Sequence, residues 1–236
     1  MLVVDSHLDL AMNALNWNRD LRLSAHETRA QEAGMTEKGR AAGTVGFPDM
    51  RSGEVALSSA TLIARVAWPG TNVPGCRTPE IAYAQAMGQL ALYRLLEEQG
   101  DVRIIEDQAD LEGHLAEWQE PIQGTPPLGF WISMEGADPI VSPDQVAEWW
   151  DAGLRMVSLC HYGVSAYSYG TGMPGGLLPA AYPLLEEMES AGMVLDVSHL
   201  ADEAFFQALD AFDGRVAASH HNCRALVPGD RQLTDE

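Results

Sequence analysis

Lysine is nearly missing from this chain. Lys38 is the only one among 14 basic residues, against 34 acidic residues, and the formal net charge is −20. A surface of that sign repels phosphate backbones and argues against nucleic acid as a partner. Long apolar runs are missing too. No stretch approaches the roughly 18 to 20 uninterrupted apolar residues of a membrane span, and the N-terminus enters a strand pattern without a charged leader region. The sequence therefore predicts a cytoplasmic protein with no membrane contact. Cysteine is scarce and odd in number: Cys76, Cys160 and Cys223 lack CxxC spacing. That excludes a disulfide framework and a thiolate zinc site, leaving three free thiols. There is no internal repeat and no low-complexity tract.

What the chain has is a hydrophobic content of 46% over 236 residues, enough to bury a sizeable core, and we read residues 1–236 as a single domain. Apolar runs at 2–6, 55–64, 128–135, 154–161, 193–199 and 215–220 are candidate strands. Helical periodicity marks 78–99, 143–151, 178–190 and 202–212. Ser142 and Pro143 supply a helix start, and Gly153, Gly192 and Gly214 stand where helix caps belong. Strand and helix in alternation mean parallel pairing, hence a doubly wound sheet or a (β/α) barrel.

The strand ends choose between them. Five of the six runs finish in, or run directly into, a polar group: His7 and Asp9, Glu135, His161, His199 and His220. A barrel collects such ends on one face, where active sites are built. A doubly wound sheet would show an early Gly-rich phosphate loop, which is absent. The expected fold class is thus α/β, a TIM-type (β/α)8 barrel that stops after about six strands. Residues 13–54 and 65–77, polar and weakly periodic, read as long insertions on the active-site face.

His7 and Asp9 stand two apart, so a strand points both to one side. An unpaired carboxylate at an apolar strand end is costly, and coordination to a cation offsets that cost. One such triplet alone is better explained as a capped strand end. Together with Glu135, His199 and His220 it makes five candidate ligands, one more than a tetrahedral zinc uses and suited to two ions with Glu135 as bridge. Asp196 alternates away from His199 and reads as a structural acid. His26, His114 and His221 lack ligand partners and read as surface or supporting residues.

The blocks "DSHLD" at 5–9, "SMEGAD" at 133–138, "LCHYG" at 159–163, "GMVLDVSHLADEAF" at 192–205, "SHHNCRAL" at 219–226 and "DRQLTDE" at 230–236 together resemble the membrane (renal) dipeptidase family of zinc peptidases. The resemblance implies a dipeptidase with two zinc ions on His7, Asp9, Glu135, His199 and His220, which supply hydroxide at neutral pH for attack on the peptide bond. It also implies that His161 polarises the substrate and that Arg231 grips the free carboxylate of a dipeptide. A homodimer and tolerance of a C-terminal D-residue belong to the same implication.

Ser6, His221 and Cys223 depart from the usual pattern at neighbours of the ligands. The resembling barrel has eight strands, the last carrying a proton-shuttling Asp, whereas this sequence ends at Glu236 soon after the sixth run. A fragment is therefore expected, and a non-catalytic barrel piece that binds metal or a partner is one alternative. A cysteine-type hydrolase, motivated by "CH" at 160–161 and "HHNC" at 220–223, is another, although adjacent strand residues point to opposite faces.

Overall fold

The computed structural model describes residues 1–69, 74–120 and 124–234. Part of the 65–77 segment and the last two residues of "DRQLTDE" lie outside the described residues. The chain forms two compact units: Met1–Thr61 with Gln89–Trp131, and Leu62–Gly88 with Ile132–Glu236.

In the first unit β1 (Val3–Leu8) pairs in parallel with β2 (Val55–Leu62), Val3 opposite Val55 and Leu8 opposite Ala60. The connection is not a bare insertion. It folds into α1 (Leu10–Trp17), α2 (Ala25–Gln31) and α3 (Phe47–Ser52). In α2 capping chemistry marks the start: Ser24 accepts from the Glu27 amide while the Glu27 carboxylate accepts from the Ser24 amide, a capping box. Helices this short escape a periodicity search, because two turns carry too few apolar positions. After α4 (Pro79–Glu98), β3 (Val102–Ile104) pairs in parallel with the start of β4 (Leu128–Glu135), and α5 (Gln108–Gln119) joins them. Neither β3 nor α5 stands out in the sequence, since three residues give no alternation to count.

His114 on α5 corrects a sequence expectation. It is fully buried, hydrogen bonded through Nε2 to the Ala56 carbonyl at 2.8 Å, and burial lowers its pKa. Gly129 makes the room, because a Cβ there would stand 2.4 Å from that nitrogen. Tyr93 ties the start of α1 to the end of β2: its hydroxyl accepts from the Ala11 amide at 2.9 Å and donates to the Thr61 carbonyl at 3.2 Å.

The second unit is the strand and helix alternation the sequence predicts. A 3-10 turn (Pro143–Gln145) and α6 (Val146–Asp151) follow β4 and lead to β5 (Leu154–Ser158). Then come α7 (Ala181–Ala191), β6 (Val194–Asp196), α8 (Asp202–Ala211) and β7 (Val216–Ala217). The end of β4 pairs with β5, β5 with β6 and β6 with β7, all parallel. Leu154, Val157, Leu184, Leu185, Met188, Leu195 and Ala204 are buried between strands and helices. At roughly 1.5–3 kcal/mol per buried large aliphatic side chain, they are the main support of this unit.

Gly192 closes α7 in the left-handed region as expected. Gly214 does not cap α8, whose cap is Phe212; it is small because a Cβ would meet the Phe212 ring at 2.5 Å. Between β5 and α7 the chain folds on itself through single bridges, Tyr162 with Thr171, Val164 with Tyr169 and Ser168 with Leu177.

Candidate metal centre

Glu135 is the last residue of β4 and only 4% exposed. Three imidazoles converge on its Oε1 within the second unit. Nε2 of His199 and Nε2 of His220 each lie 3.0 Å away, and Nε2 of His161 lies 3.5 Å away. The His161 and His199 rings are 4.4 Å apart, and those of His199 and His220 are 5.1 Å apart. Each histidine sits past its strand rather than in it. His161 follows β5 by three residues, His199 follows β6 by three, and His220 follows β7 by three. His199 has a φ of 70°, in the left-handed region that costs a non-glycine residue. Such an outlier persists only where surrounding structure holds it, and it is common at functional sites.

Each imidazole is held through its other nitrogen. The Thr171 hydroxyl is 3.0 Å from Nδ1 of His199. Ser219 Oγ is 2.7 Å from Nδ1 of His220. Asp196 fixes that serine, accepting from its hydroxyl and, at 3.1 Å, from its amide, and it also accepts from the Ser198 amide at 3.0 Å. The structural role foreseen for Asp196 is thus to set the segment that carries His220. Nδ1 of His161 accepts from the Arg65 guanidinium. Burial, first, pulls His161 down to about 3, with the neighbouring His199 and Arg65 charges adding to the effect and Glu135 opposing it. Burial likewise lowers His199. Both rings are therefore neutral near pH 7, the form in which imidazole binds a metal or donates a single proton.

The first unit carries the other two predicted ligands. Nε2 of His7, on β1, is 3.6 Å from Oδ1 of Asp9. Asp9 occupies the cap position of α1 yet makes no side-chain cap bond. Its Oδ1 is buried without a hydrogen-bond partner among the described residues. An orphaned buried carboxylate oxygen beside an imidazole in the first unit and, within the second unit, a buried carboxylate met by imidazoles are each donors of the kind zinc takes. Arg231 donates through Nη2 to the His220 carbonyl at 2.5 Å, while its Nη1 is buried with no hydrogen-bond partner among the described residues.

Sequence reasoning missed Arg65, Thr171 and Ser219. Arg65 and Thr171 lie in polar loops without periodicity, so nothing local marks them. Ser219 stood inside a quoted block, and its place next to His220 was the available signal. The cysteine reading finds no support at Cys160, which is buried, with its thiol pushed up to about 12 by burial; a nucleophilic thiol needs the opposite shift.

A family model described as membrane dipeptidase, peptidase family M19, matches residues 1–236. An uncharacterised dipeptidase of Schizosaccharomyces pombe is 28% identical over 110 residues, 44% of this chain and 27% of that protein. A dipeptidase of Claviceps purpurea is 36% identical over 88 residues, 35% of this chain and 20% of its own length. The matched stretches thus span well under half the length of these curated relatives. Among solved structures, the dipeptidase AC, a metallopeptidase of family M19, has a TM-score of 0.77 at 22% identity, covering 100% of this chain and 67% of that one. A metallopeptidase from Rhodobacter sphaeroides, bound to a phosphinate mimic of L-Ala-D-Ala, has a TM-score of 0.76 at 21% identity, covering 100% and 69%. At these identities the likeness speaks for the fold alone. It bears out the α/β expectation, this chain matching a part of the TIM-type barrel of such dipeptidases. With the family model matched from the first residue to the last, the chain belongs to the membrane dipeptidase family, peptidase family M19.

Proposed function

We propose that the protein hydrolyses the peptide bond of dipeptides, with two zinc ions held by His7, Asp9, Glu135, His199 and His220 and both units acting as one domain. The observation that carries this reading is the convergence of three imidazoles on one buried carboxylate, in a chain of this family. The unpartnered Oδ1 of Asp9 supports the remaining side of the ligand set. Bound zinc supplies Lewis acidity and an activated water at neutral pH.

The chain's own residues do the rest. His161, neutral and anchored through Nδ1, donates from Nε2 to the oxygen that gains charge as the carbonyl is attacked. Arg231, with Nη1 unpaired, orients the substrate by its terminal carboxylate, which favours peptides that end there. The Rhodobacter sphaeroides protein binds a phosphinate mimic of L-Ala-D-Ala, and we extend tolerance of a C-terminal D-residue to this chain. A homodimer belongs to the same proposal through the family resemblance. A cytoplasmic location does so through the three free cysteines.

Metal analysis of the purified protein, run beside hydrolysis of a panel of L,L- and L,D-dipeptides, tests the reading. The expected outcome is two zinc ions per chain and turnover that His199→Ala abolishes. Zinc bound in stoichiometric amount with no dipeptide cut would instead establish the non-catalytic alternative.

A further inference from the structure

Arg65 lies in the second unit, at the start of the 65–77 segment that the sequence marks only as a polar insertion. Its guanidinium is placed by several contacts. Nε donates to the Pro74 carbonyl at 2.9 Å, and Nη1 donates to Nδ1 of His161. The backbone on either side is gripped as well. The Cys76 amide donates to the Arg65 carbonyl at 2.7 Å, the Ala67 amide to the Cys76 carbonyl at 2.9 Å, and the Val66 amide to Asp138 Oδ2 at 2.7 Å. An arginine so held loses little conformational freedom when it makes one more hydrogen bond.

The bond to His161 has a chemical consequence. A guanidinium has five N–H donors and no acceptor, so the imidazole nitrogen it meets must be the one without a proton. We propose that Arg65 is a positioning residue that fixes His161 in the tautomer with its proton on Nε2, so that this nitrogen faces the reacting carbonyl as a donor. Among the described residues, Arg65 is the group the structure places at Nδ1 of His161. Glu135 Oε1, 3.5 Å from Nε2, accepts and so favours the same tautomer. His199 and Tyr162 present ring faces or edges to it rather than an acceptor at Nδ1. Asp138, whose carboxylate accepts the Val66 amide, steadies the segment that carries Arg65. The catalytic meaning rests on the dipeptidase reading, whereas the tautomer itself does not.

The two separate in one experiment. In protein labelled with nitrogen-15 at histidine, long-range proton–nitrogen correlation spectra report each ring nitrogen as protonated or bare, with His161→Gln identifying the resonances. The wild type is expected to show a bare Nδ1 and a protonated Nε2 at His161. Arg65→Met is expected to move both nitrogens toward averaged values, and added guanidinium ion to move them back. For dipeptide hydrolysis by Arg65→Met, kcat is expected to fall on the order of tenfold, as for one lost charge-assisted hydrogen bond, with KM within about twofold. A proton on Nδ1 in the wild type overturns the inference without any variant, and so does an Arg65→Met protein that keeps wild-type shifts. If the wild type cuts no dipeptide, the proposed function fails while the nitrogen shifts still decide the role of Arg65.

Discussion

Asp138 offers the sharpest energetic test of how the second unit holds its loops. The residue is 2% exposed, and its carboxylate accepts from the Val66 amide at 2.7 Å, the Ala166 amide at 2.8 Å and the Trp68 indole at 3.1 Å. One side chain thereby ties the segment after β2 to the loop after β5. Burial raises its pKa, and the three N–H donors act against that rise. Removing the carboxylate in Asp138→Ala strands the buried Val66 amide, at about 1–3 kcal/mol, and leaves two partly wet donors to find water at less cost. The sum is about 2–5 kcal/mol. For a domain of this size each kcal/mol shifts Tm by about 2–4 °C, so Tm is expected to fall by about 5–15 °C.

Asp138→Asn keeps the shape but turns one acceptor into a donor that faces another donor, and a loss of about 1–3 kcal/mol is expected. Thermal unfolding followed by circular dichroism, with urea titration as the second measure, reads both. If both variants unfold within about 0.5 kcal/mol of the wild type, the carboxylate does not hold these segments and the reasoning fails. The Ala variant is also expected to loosen Arg65, and so to blur the His161 nitrogen shifts.

Two further outcomes follow from the same geometry. Glu32 accepts from Arg19 at 2.7 and 2.8 Å, from Arg40 at 3.1 Å and from the Ala41 amide. The Arg19 bonds, first, hold its carboxyl at about 2 against the usual 4.5. A lowered acid stabilises the fold above its unfolded pKa and loses that contribution as pH falls through the folded one. The wild-type Tm is therefore expected to drop more steeply than that of Glu32→Gln between pH 4.5 and 2, and parallel curves would refute the ion-pair account. Cys76 and Cys160 are buried with raised thiol pKa values, whereas Cys223 is exposed. Iodoacetamide on the folded protein is expected to label Cys223 alone, as peptide mass analysis would show, and fast labelling of Cys160 would reopen the thiol reading.

The pattern of polar groups at the ends of apolar runs was legible because a strand's period of two and a helix's 3.6 are local properties, readable from a dozen neighbours. That is why the second unit's strands and helices, and Glu135, His161, His199 and His220 at their ends, are legible in the sequence. The same local logic misjudged the extent of the strands: β6 and β7 are three and two residues long, and their histidines ride on the loops beyond. It also passed over α1, α2 and α3, too short for a period to show, and α5, whose start rests on the Asp107 side chain accepting from the Asp110 amide. What only the tertiary structure decided is which nitrogen of each imidazole is bound and by what. Arg65 and His161 are 96 residues apart, and Glu135 and His220 are 85 apart. No spacing rule reaches that far, because the meeting of such groups is set by the packing of whole elements. The sequence by itself determined the types of side chain at the candidate site and the strand ends that carry them; the folded chain alone determined their protonation, tautomer and orientation, since these depend on burial and on partners distant in sequence.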